Sequence, residues 1–121
     1  MSPRGGLGLY LLGDARIAMH PSILKRLAQL EALCTRFHVR RLALFGSAAK
    51  PDARSEPRDF DLLVEFEVTT PAEHANRYFG LWEELENLLQ APVDLVESGA
   101  IRNPFFRRAV ETTQVTLYAA A

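Results

Sequence analysis

Along residues 21–37 the apolar positions recur at helical spacing. Ile23, Leu27, Leu30, Cys34 and Phe37 follow at steps of four, three, four and three, which is one face at 3.6 residues per turn. The pattern predicts a helix from Pro21 to about Phe37. Pro21 suits its first position, where the missing N–H has no partner to lose. The period then changes. Val39 to Phe45 reads as a strand ending at Gly46-Ser47, and Lys50 to Arg58 is polar and broken by Pro51 and Pro57. Asp59 to Phe66 reads as a second strand, with Phe60, Leu62, Val64 and Phe66 on one face and Asp59, Asp61, Leu63 and Glu65 on the other. Thr70-Pro71-Ala72-Glu73 has the form of a capping box with proline in the first turn. The helix it opens reaches about Gln90, with Ala75, Tyr78, Trp82, Leu85 and Leu89 along its apolar stripe. Pro92 to Glu97 is a third strand, Asn103-Pro104 caps a short helix to about Thr112, and Gln114 to Ala119 is a last strand. This order predicts a mixed α/β (α+β) domain, a small mixed β-sheet with helices packed on it. Residues 1–18 are glycine-rich without a period. They read as a flexible arm or upstream extension ahead of one folded unit, residues 19–121.

Composition narrows the function classes. The length of 121 residues suits a single domain. A net charge of −1 argues against direct nucleic-acid binding, which draws on an excess of Lys and Arg. The single cysteine excludes an internal disulfide and a cysteine-based zinc site, and points to the cytoplasm. The apolar run Leu7 to Leu12 is interrupted by Gly8. It falls far short of the ~20 residues of a membrane helix.

The candidate chemistry lies in Gly46-Ser47, Asp59, Asp61 and Asp94. Alternate strand residues point the same way, so Asp59 and Asp61 share a face with Cα atoms ~6.6 Å apart. Two carboxylates converging to ~5 Å repel by roughly 3 kcal/mol at an effective dielectric of 20. A divalent cation reverses that sign, and Mg²⁺ is commonly held by one or two carboxylates plus substrate phosphates. Asp94 lies between Val93 and Leu95 and faces away from both; a strand pairing beside the second one brings it to the same cluster. Gly46 lets a backbone approach a phosphate, and N–H groups at a helix start face the anion. The Ser47 hydroxyl adds a donor and Lys50 a charge. Alone, an Asp-x-Asp is often polar alternation and a Gly-Ser a turn; their joint order is the informative signal. The remaining candidates have plainer explanations. Cys34 lies on a core face. His20, His38 and His74 show no ligand spacing, Tyr78 and Trp82 belong to a helix stripe, and Glu83, Glu84 and Glu86 form a solvated face. Glu97 is an alternative third ligand, but three residues from Asp94 it points to the opposite face if the strand continues, and Asp94 is preferred.

With these residues in view, LALFGSAAK, RDFDLLVEF and PVDLVE resemble the minimal nucleotidyltransferases of the DNA polymerase β-type superfamily over about residues 19–119. The resemblance implies Gly46 and Ser47 at the nucleotide triphosphate, with Lys50 beside them, and Asp59, Asp61 and Asp94 as ligands of Mg²⁺, two ions in all. Small members of that family are often antitoxins encoded beside an HEPN-domain ribonuclease. The resemblance therefore implies transfer of AMP from ATP to a tyrosine of such a toxin. The alternatives are a non-catalytic antitoxin that neutralises by binding, and a small-molecule nucleotidyltransferase of the aminoglycoside-modifying kind. Two departures stand out. Members commonly carry Arg-Gly where this chain has Lys50-Pro51, and serine where it has Arg58. Lysine keeps the charge and loses the bidentate fork.

Overall fold

The computed structural model describes residues 21–49 and 59–120. The expected arm, Lys50, Pro51 and Arg58 lie outside the described residues. The chain runs α1 (Pro21–Leu24), α2 (Leu27–Arg36), β1 (Val39–Phe45), a 3₁₀ turn (Gly46–Ala49), β2 (Phe60–Phe66), α3 (Pro71–Leu89), β3 (Val93–Glu97), a 3₁₀ turn (Ser98–Ala100), α4 (Pro104–Thr113) and β4 (Val115–Ala119).

The strands form one sheet in the order β3-β2-β1-β4. β1 runs antiparallel to both β2 and β4, and β2 pairs parallel with β3. The mixed sheet with helices on it is the architecture that the patterning predicts. Among the described residues no helix is long and apolar enough to cross a membrane.

Strand alternation divides the core in two. Leu42 and Leu44 of β1, Phe60, Leu62 and Val64 of β2, and Val93 and Leu95 of β3 pack under α1, α2 and α3. The alternate residues Ala43, Phe45, Leu63 and Val96 form a smaller cluster with Ile101 and Val110, under α4. Asp61 and Asp94 belong by parity to this second face.

Two expectations need correction. The first helix is interrupted at Lys25-Arg26. There the Arg26 N–H reaches back only to the Ile23 carbonyl, and the Arg26 Nη1 donates to the Ser22 carbonyl at 2.8 Å. The apolar face survives, since Ile23, Leu30 and Cys34 are all fully buried. The stripe of α3 is also turned from the one expected. Leu81, Leu85 and Leu89 are the buried residues, while Ala75 is exposed and Trp82 is 38% exposed. Gly80 lies where α3 meets the end of α2, and a Cβ there would lie 2.6 Å from the Phe37 ring. The cap of α3 is half of a capping box. The Thr70 hydroxyl accepts from the Glu73 N–H at 3.3 Å, and the Glu73 carboxylate accepts from the Thr69 hydroxyl at 2.6 Å.

Candidate active site

Three strands bring their chemistry into one row. Register places Phe45 opposite Asp61, and Asp61 beside Asp94. β1 ends at Phe45, and the next residue, Gly46, opens the 3₁₀ turn with a φ of +75°. That left-handed backbone favours glycine. A side chain is excluded for a second reason: a Cβ on Gly46 would collide with the Asp61 carboxylate and lie 3.2 Å from its Cγ. The Asp61 carboxylate therefore rests directly against the bare backbone of the turn. Ser47 continues the same turn.

Asp61 is half-buried, whereas Asp59, just before β2, and Asp94 are exposed. Burial first, and then the charges of Asp59 and Asp94, push the Asp61 carboxyl above its ordinary pKa. Asp61 therefore senses both neighbouring charges, although Asp59 precedes the strand. Among the described residues no three His, Cys, Asp or Glu side chains are gathered into a ready-made metal cage. What the fold supplies is an open cluster, Asp61 and Asp94 side by side with Asp59 near. An all-oxygen donor set whose charges oppose one another suits a hard divalent cation, whose bound charge would offset that repulsion.

Asp61 and Asp94 open onto a cleft of about 370 Å³ lined by Phe45, Gly46, Asp61 and Asp94 from the strands and the turn, and by Phe106, Val110 and Thr113 from the helix that follows. α4 supplies that second wall. Asn103 caps it by accepting from the Phe105 and Phe106 N–H groups at 2.9 and 3.3 Å. The sequence pattern by itself places nothing from α4 at the site. The available signal was Phe105-Phe106 at the head of a short helix, because only Val110 of α4 is buried.

The other singled-out residues have structural partners. Glu97 turns to the opposite face, as its spacing predicts, and accepts from His74 at 2.6 Å. His38 closes α2 with a φ of +57°. Burial pushes the Cys34 thiol far above its ordinary pKa, with Glu31 adding to the shift. The Tyr78 hydroxyl donates to the Leu95 carbonyl at 2.6 Å, and the Trp82 indole donates to the Val93 carbonyl at 2.8 Å.

Comparison with known proteins places this geometry. Residues 27–114 match the nucleotidyltransferase domain family. The chain is 38% identical over 76 residues to a candidate protein adenylyltransferase of Methanocaldococcus jannaschii, MJ0128, covering 63% of this chain and 74% of that one. Among solved structures, a candidate minimal nucleotidyltransferase superposes with a TM-score of 0.56 at 31% identity, covering 85% of this chain and 95% of that chain. The same fold is shared, at a TM-score of 0.56 and 20% identity over 78% of this chain and 71% of the other, with a structure of the tri-AMPylated Shewanella oneidensis HEPN toxin in complex with its MNT antitoxin. The row of Gly46, Asp61 and Asp94 thus lies within the matched segment, and the chain belongs to the nucleotidyltransferase domain family.

Proposed function

We propose that this chain is an antitoxin that transfers AMP from ATP to a tyrosine of a cognate HEPN toxin and so silences it. The observation that carries the reading is the pair Asp61 and Asp94, side by side across a parallel strand pair, with Asp61 pressed against the bare turn at Gly46. Its support from relatives is the adenylyltransferase likeness of the sequence and the AMPylated toxin held by a protein of the same fold.

In this reading the backbone of Gly46-Ser47 cradles the triphosphate, and Lys50 adds a positive charge. Asp59, Asp61 and Asp94 would hold Mg²⁺, two ions in the full reading, which supplies charge neutralisation at phosphates and reacting oxygens when bound. Asp94 orients the acceptor hydroxyl. That oxygen forms a bond to the α-phosphorus, the bond from the α-phosphorus to the bridging oxygen breaks, and pyrophosphate leaves with the electron pair. The hydroxyl proton passes to a carboxylate of the cluster. The protein contributes position and electrostatics, with no covalent enzyme intermediate. The catalytic unit in this reading is residues 19–121.

The test is an intact-mass measurement on an HEPN toxin that pairs with this chain, after incubation with this chain, ATP and Mg²⁺. Adenylate-sized increments are expected, and none with Asp61→Asn. Tight association without a mass change would identify a binding module instead. Transfer by Asp61→Asn at the wild-type rate would remove Asp61 from the chemistry.

A further inference from the structure

The cleft has two unlike walls, and phosphate chemistry accounts for only one. Gly46, Asp61 and Asp94 answer to phosphates and a cation. Phe45 lies beside Asp61 on the sheet, and α4 adds Phe106, Ala109, Val110 and Thr113 to the lining; these are apolar except for Thr113, whose hydroxyl proton is already given to the Ala109 carbonyl at 2.7 Å. Phe106 is 42% exposed, a large apolar ring left partly in water at the mouth of a charged site. We propose that the Phe106 ring is the platform on which the nucleobase of the bound nucleotide stacks. The placement rests on the proposed nucleotide site at Gly46.

The ring is held rather than loose. It meets Phe45 edge to face, with centroids 6.0 Å apart and planes at 74°. Phe45 is itself buried, at the end of the strand that leads into Gly46. α4 is tied down at both ends. The Arg107 Nη2 donates to the Ile101 carbonyl at 2.5 Å, and the Arg41 Nη2 donates to the Gln114 side chain at 2.6 Å. A platform fixed before binding loses little freedom when a planar ligand settles on it. Base-on-aromatic stacking tolerates any base, since every base has a π face. Phe106 thus contributes affinity without choosing between bases.

The other planar candidate is the aromatic side chain of an acceptor. The base is favoured because the apolar wall is continuous with Gly46 and Asp61 in one cleft of about 370 Å³, a size suited to a single small molecule. A nucleotide fills both walls by itself. The neighbouring Phe105 is 84% exposed and is not among the residues lining that cleft.

The test compares two ligands that share phosphates and differ in the base. The full chain is titrated calorimetrically with ATP and with inorganic tripolyphosphate, each with Mg²⁺. Phe106→Ala is expected to weaken ATP by about 5- to 150-fold and to leave tripolyphosphate unchanged. Phe106→Tyr, which keeps the ring, is expected to retain both affinities. The proposal is overturned if Phe106→Ala binds ATP like wild type, including the case where only transfer to the acceptor slows. It is equally overturned if both ligands weaken together, which marks a general loss of the site. Failure of wild type to bind either ligand removes the nucleotide site itself and this placement with it.

Discussion

Gly46 shows how a single position can be both readable and opaque. Its place after an apolar strand and before a polar stretch marks a turn, and a turn is what forms. Its contact with Asp61, fifteen positions on in the sequence, depends on the antiparallel register of β1 and β2 and no local pattern carries it. The two constraints on Gly46 act together. A Cβ must accept a φ of +75° and must also displace the Asp61 carboxylate. Gly46→Ala is therefore expected to cost about 1–3 kcal/mol in urea unfolding. It should also weaken ATP binding, because Asp61 can move only away from the turn. Calorimetric titration of ATP checks the second effect. A variant as stable as wild type and with unchanged affinity would show that the turn relaxes freely.

At the scale of elements, β3 needs support that its neighbours do not. It is an edge strand, so the carbonyls on its outer side have no ladder partner. Two side chains of α3 supply one: the Tyr78 hydroxyl bonds Leu95, and the Trp82 indole bonds Val93. The residues bracket Asp94, so the helix holds in place the strand that presents it. This explains the turned stripe of α3. Periodicity groups Trp82 with the core because it treats the residue as apolar. The structure uses its polar tip and leaves the ring 38% exposed, as suits an amphipathic side chain. The break between α1 and α2 escapes periodicity for a related reason: the buried face at Ile23, Leu30 and Cys34 continues across it, so only backbone bonding reveals it. Tyr78→Phe keeps the ring and removes the donor, leaving the Leu95 carbonyl without it. The expected cost is about 1 kcal/mol, with faster amide exchange along β3 than along β1. Hydrogen exchange followed by mass spectrometry checks the local effect, and equal exchange in the two strands would place the hydroxyl outside the support of β3.

Across the whole molecule the sheet separates stability from chemistry. The face under α1, α2 and α3 holds most of the buried apolar residues. The opposite face carries a small cluster and the carboxylates. Strand alternation made the division legible in advance: Phe60, Leu62 and Val64 against Asp61 is a pattern that sequence alone supplies. The identity of the second wall was not legible, because α4 reaches the site through a tertiary contact between Phe106 and Phe45. The division makes two substitutions complementary. Leu85 is fully buried on the core side, and truncating such a leucine costs about 2–5 kcal/mol. Leu85→Ala is expected to lower the melting temperature and, measured in the cold where it stays folded, to bind ATP with wild-type affinity. Asp61→Asn is expected to do the reverse. It removes a charge that burial and two neighbouring carboxylates oppose, so stability without Mg²⁺ should hold or rise while adenylyl transfer is lost. The two variants, compared by thermal melting and by transfer to the partner, decide whether the faces act separately. If Leu85→Ala loses ATP affinity while still folded, the core side also shapes the site, and the separation fails.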